Sequence, residues 1–117
     1  MTGLSIERSA ALRDLVELRT PLRAAIARMS DFPLDFESDL VITRPIDVVN
    51  ALDRYERGDL AEAELVEWAE ALFGRDDVGY PADETESVKE ALFELSTPEL
   101  FGPVGETVLR LHARLDP

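Results

Sequence analysis

Apolar residues at Ala11, Leu15, Leu18, Leu22, Ala25 and Met29 recur at alternating spacings of four and three, which lines one side of a helix. The stripe runs through Thr20-Pro21. Proline inside a helix removes a hydrogen bond and bends the axis, whereas Thr-Pro also serves as the cap and first residue of a new helix. The pattern therefore predicts either one kinked helix from about 5 to 29 or two abutting ones. Residues 30–44 lose the helical period and carry Pro33, so they are expected to connect, with a short extended piece at Leu40 to Ile42. Thr43 and Pro45 open a third helix, whose inward face holds Val48, Val49, Leu52 and Tyr55 before Gly58 ends it. Asp59, with Glu62 three residues on, reads as the cap of a fourth helix. Ala61, Leu65, Trp68 and Leu72 are its inward stripe and Gly74 its stop.

The Gly, Pro and Asp content of residues 75–83 predicts a loop. A fifth helix is expected over about 84 to 96 with Val88, Ala91, Leu92 and Leu95 inward. Thr97-Pro98 starts a short turn that Gly102-Pro103 breaks, and Val104, Val108, Leu111 and Leu115 define a last helix. Together these elements predict an all-α fold, a single compact bundle of five or six helices with one short extended segment near 40–42. No repeat, low-complexity tract or linker divides residues 1–117, so one acidic helical domain around one core is expected.

Composition narrows what such a bundle can do. No stretch between consecutive charged residues exceeds six positions, too short for a membrane span of about 20 apolar residues or a signal peptide's apolar run of about 7 to 15. A cytoplasmic protein is the expectation. Absence of cysteine removes disulfides, thiolate nucleophiles and cysteine zinc sites together. The net charge of −13 is unevenly placed: residues 1–30 carry a local +2, residues 31–109 a local −16, and residues 110–117 a local +1. A field of that sign repels nucleic-acid phosphate and anionic membrane, and it speeds encounter with a basic protein surface.

Candidate chemistry is sparse. The single histidine, His112, has no second imidazole or thiolate with which to seed a zinc site of the usual kind, and no serine sits in a nucleophile elbow. A structural or surface role for it outweighs catalysis, which needs an assembled set of partners. Gly102-Pro103-Val104-Gly105 lacks the third glycine, preceding strand and lysine of the phosphate-binding loops. Asp35, Glu37 and Asp39, with Asp31 upstream, alternate like the first ligands of a calcium loop. Leu40 stands where that loop needs glycine and Ile46 where it needs glutamate, which excludes an EF-hand. The pair of helices joined at Gly58 is no DNA reader, because the second holds Glu62, Glu64, Glu67 and Glu70 and no basic residue. No cofactor, metal or catalytic residue is assigned, and the chain is read as a non-enzyme.

That acidic helix is instead a candidate binding face. Glu67 and Glu70 are continued by Asp76, Asp77, Asp83, Glu84 and Glu86, with Tyr80 as an aromatic anchor among them. Against this stands the ordinary alternative that exposed helix faces are acidic and Tyr80 plugs the edge of the core. Trp68 falls on the apolar stripe and is read as core.

The run from Ile46 through Asp53-Arg-Tyr-Glu-Arg-Gly58-Asp-Leu60, followed by Leu65-Val-Glu-Trp-Ala69 and Arg75-Asp-Asp-Val78, resembles small helical bacterial immunity proteins, including the colicin D immunity type. The likeness covers roughly residues 43 to 112 and rests on hydrophobic spacing and turn residues. It implies an inhibitor whose acidic face covers the basic active-site cleft of a cognate toxin, with a nuclease as one such toxin. It carries over no individual toxin contact. The alternative is a cytoplasmic adaptor or regulatory subunit that uses the same surface, or the arginine-bearing N-terminal helix, to dock on a larger assembly.

Overall fold

The computed structural model describes residues 2–33, 36 and 39–115, with side chains from residue 6 onward. The order of elements is α1 (Thr2–Glu17), α2 (Leu22–Met29), β1 (Val41–Ile42), α3 (Pro45–Glu56), α4 (Glu62–Leu72), β2 (Val78–Gly79), α5 (Thr85–Ser96), α6 (Pro98–Phe101) and α7 (Val104–Leu115). The fold is mostly helical, as the periodicity implies. Seven helices are present among the described residues rather than five or six, because the turn at Thr97-Pro98 closes one full helical turn as α6. Among the described residues no helix is long and apolar enough to cross a membrane.

The first apolar stripe belongs to two helices. Leu18 takes a left-handed φ of 53°, its N–H donates to the Leu15 carbonyl at 3.3 Å, and the Arg19 N–H donates to the Asp14 carbonyl at 3.0 Å. These bonds terminate α1 as a glycine normally would. A left-handed non-glycine residue costs roughly 1–2 kcal/mol. Leu18 is nevertheless only 3% exposed, and burying a leucine returns about 1.5–3 kcal/mol, enough to hold the conformation. Two side chains from later in the chain finish the cap: Trp68 Nε1 donates to the Leu15 carbonyl at 2.9 Å, and Asn50 Nδ2 to the Glu17 carbonyl at 3.3 Å. Gly58, at φ 86°, ends α3 by the same bonding, with N–H donors of Gly58 and Asp59 on the carbonyls of Tyr55 and Arg54.

The third helix opens at Pro45 as expected, whereas the start of the fourth differs. Asp59 does not cap α4; it pairs on the surface with Arg57, and the cap position is Ala61, whose N–H donates to the Glu64 carboxylate at 2.9 Å. Burial decides this: Leu60 goes into the core beside Leu65, bracketing Ala61 as a hydrophobic staple does, so the helix starts two residues later. At α3 the cap position is Arg44, and the Asp47 carboxylate accepts the Arg44 N–H at 2.9 Å and its guanidinium at 3.3 Å. Thr43 serves the strand instead, donating its N–H to the Gly79 carbonyl.

The extended segment at 41–42 forms as expected, and it has a partner inside the region read as a loop. β1 pairs in parallel with β2, Val41 opposite Val78 and Ile42 opposite Gly79, with α3 and α4 as the crossover that parallel strands require. One contiguous core results, to which every helix except α6 contributes buried residues, Trp68 fully enclosed among them.

Candidate functional site

The acidic candidates divide among several surfaces, and one leaves the surface altogether. Asp77 is completely buried. Arg8 Nε donates to its Oδ2 at 2.7 Å, and Arg75 donates from Nε to Oδ1 at 2.9 Å and from Nη2 to Oδ2 at 3.1 Å. Both guanidiniums also donate to the Pro33 carbonyl, and that of Arg8 lies over the Phe36 ring at 4.2 Å. Burial alone pushes the Asp77 carboxyl up, but the hydrogen bonds and charges of Arg75 and Arg8 outweigh it and hold the group below its ordinary value. Asp77 therefore fastens α1 to the segment before β2 and is withdrawn as a partner contact.

Tyr80 is half-buried and packs against the core. The Lys89 ammonium lies 5.6 Å from its ring centroid, so the chain's own cation already lies over one face of the ring. Burial, with Asp39 nearby, raises its phenol pKa. Tyr80 and Asp76 line a pocket of about 530 Å³ that also contains Arg75 and Lys89, a mixed lining with no single charge preference. Glu84 borders a different groove, near Pro45 and Ile46 of α3 and Arg114 of α7. Asp83 and Glu86 are exposed at the start of α5. Of the calcium-like acids, Asp35 and Glu37 lie outside the described residues and Asp39 is exposed.

Glu67 and Glu70 stand in the most distinctive setting. They line a groove of about 660 Å³ between α4, α6 and the start of α7, with Glu62 and Glu99 as further acids and Ala63, Val66, Pro98, Pro103 and Val104 as the apolar lining. Four glutamates and no basic side chain line it. The i, i+4 and i, i+3 relations among Glu62, Val66, Glu67 and Glu70 project this set from one side of α4.

An aromatic row absent from the sequence-based candidates runs from Phe73, which lines the mixed pocket with Arg75 and Lys89, to Phe101 of α6, which follows the groove residues Pro98 and Glu99 in the chain. Phe73 and Phe93 have ring centroids 5.7 Å apart, and Phe93 meets Phe101 edge-on at 5.5 Å. Phe73 is 39%, Phe93 37% and Leu100 67% exposed, so large apolar groups face solvent where α4, α5 and α6 meet. A signal existed: Phe93 falls outside the inward set Val88, Ala91, Leu92 and Leu95, and a phenylalanine out of phase with its own helix needs a surface reason.

The structure also gathers the lone histidine with two acids. His112 Nε2 on α7 lies 2.6 Å from Glu56 Oε1 and 3.2 Å from Asp53 Oδ1, both on α3. Counting imidazoles and thiolates along the sequence missed this set, because an i, i+3 acidic pair is unremarkable until a second helix brings a nitrogen to it.

No family model matches the chain, and comparison with curated proteins and with solved structures gives no match.

Proposed function

We propose that this protein is a non-catalytic binder of a basic protein surface, acting as an immunity-like inhibitor that covers the active-site cleft of a cognate toxin. The observation that carries the reading is the α4–α6–α7 groove, apolar in its lining and walled by Glu62, Glu67, Glu70 and Glu99, together with the Phe73–Phe93–Phe101 row, whose first two rings are exposed. A cleft built to hold phosphate presents lysines and arginines around an accessible pocket. Glutamates in the place of phosphates pair with those cations, while exposed aromatic rings supply the desolvated contact that carries binding energy. The local −16 over residues 31–109 steers the approach and makes association fall with salt.

Co-expression with the product of the adjacent gene tests the proposal. Protection of the host and a stable complex are expected, with both lost in Glu67→Lys/Glu70→Lys and in Phe93→Ser. A toxic neighbour that is neither bound nor neutralised refutes inhibition. A salt-sensitive complex with a neighbour that is not toxic would redirect the reading to an adaptor using the same groove.

A further inference from the structure

We infer that Asp53, Glu56 and His112 form a binding site for a divalent transition cation, with zinc as the probe, that ties the end of α7 to the end of α3. The three ligand atoms lie within 4.8 Å of one another. Around zinc with bonds of about 2.0–2.2 Å, tetrahedral ligand atoms stand roughly 3.4 Å apart. The Asp53 oxygen, 3.2 Å from the imidazole nitrogen, is already near that spacing. The Glu56 oxygen, at 2.6 Å, is at hydrogen-bond distance and has to withdraw by under 1 Å. Its side chain is 43% exposed, so that movement displaces water rather than core atoms.

Charge favours a cation there from several directions. Two carboxylate oxygens converge on one nitrogen, an arrangement that needs a proton or a metal ion between them. Asp53 and Glu56 sit in the last turn of α3 and His112 in the last turn of α7, so the partial negative ends of both helices add to the carboxylates. In an isolated helix, acids at that end are the unfavourable choice. A neutral imidazole and two carboxylates leave one coordination position open to water, as one nitrogen and two oxygens suit zinc and its first-row neighbours. The imidazole is 19% exposed against 48% for Asp53, which orients the nitrogen from inside while the acids give the ion its entry path. This inference is independent of the proposed toxin partner.

His112 is the only histidine, so the imidazole resonances of the untagged protein report on the site without ambiguity. Titration with zinc chloride at neutral pH is expected to shift them to saturation at one equivalent and to raise the thermal midpoint. Asp53→Asn/Glu56→Gln, which keeps the size and shape of two side chains that are 48% and 43% exposed, is expected to keep the fold by circular dichroism and to bind zinc at least tenfold more weakly, as is His112→Gln. Cobalt substitution should give visible absorption that these variants lose. Imidazole resonances that do not move up to millimolar zinc overturn the site, as does unchanged zinc affinity in the double variant.

Discussion

Arg75, Asp76 and Asp77 are consecutive, and they divide between two uses of charge that the rest of the molecule keeps apart. Arg75 and Asp77 turn inward and meet Arg8 from 69 residues away. Every oxygen of that carboxylate is satisfied, and the cost of leaving water is offset by geometry. Across the molecule, Glu62, Glu67, Glu70 and Glu99 line an open groove without a cation of their own. Charges that hold a fold are few, buried and saturated; charges available to a partner are many, solvated and unsatisfied. Sequence shows the number of acids, whereas partners in space decide which kind each one is.

The comparison is broken most forcibly at Asp77. Asp77→Ala leaves two arginines facing a buried site and should lose about 3–5 kcal/mol of unfolding free energy by urea titration. The same group sets an acid limb. Its folded pKa lies below its unfolded value, so its stabilisation is complete above the ordinary aspartate range and is lost as pH falls through that range toward the folded pKa. Urea midpoints measured from pH 7 down to pH 3 should decline in the wild type, and Asp77→Ala should flatten that decline. Next in size is Trp68→Phe, which removes the indole donor to Leu15 from a fully enclosed position and should cost about 1–3 kcal/mol. Gly58→Ala forces a side chain into the left-handed turn after α3, with no atom near enough to clash, and should cost about 1 kcal/mol. Smallest for folding is Glu67→Lys/Glu70→Lys, at one half-buried and one exposed position of the groove, expected within about 0.5 kcal/mol per site. Its effect belongs to association: binding to a basic partner should weaken and its salt dependence shrink. A large loss of stability in that variant would merge the two classes of charge and sink the distinction.

Much of the architecture was legible because periodicity and punctuation act locally. The inward residues of α5 and the stops at Gly58 and Gly74 follow from phase and from the left-handed conformations that glycine accepts, φ 86° and 87°. The break after α1 was ambiguous because Leu18 continues the inward stripe in phase, so its burial was legible, whereas its left-handed conformation, φ 53° at a position that favours glycine, was not. The start of α4 was misplaced for a related reason: Asp59 is the better cap, but Leu60 is the better core residue. β2 was hidden because two residues between turn formers carry almost no strand signal until β1 is placed beside them. At the site, Glu67 and Glu70 were readable as an unbroken acidic face. Asp77 and Asp76 look alike in sequence, and the groove, the phenylalanine row and the His112 cluster each require side chains from different helices.

The parallel pairing of Val41 with Val78 bears on the order in which the chain folds. Closing a segment that long surrenders entropy before any contact repays it, whereas α4 and α5 meet across a short connection. A nucleus of α4 and α5 forming first, with β1, β2 and the Arg8 crossing added late, is therefore the expected route. Substitutions at Leu92 should slow refolding, while those at Val41 or Arg8 should chiefly hasten unfolding. The N-terminal helix would then be the last element to dock and the first to leave.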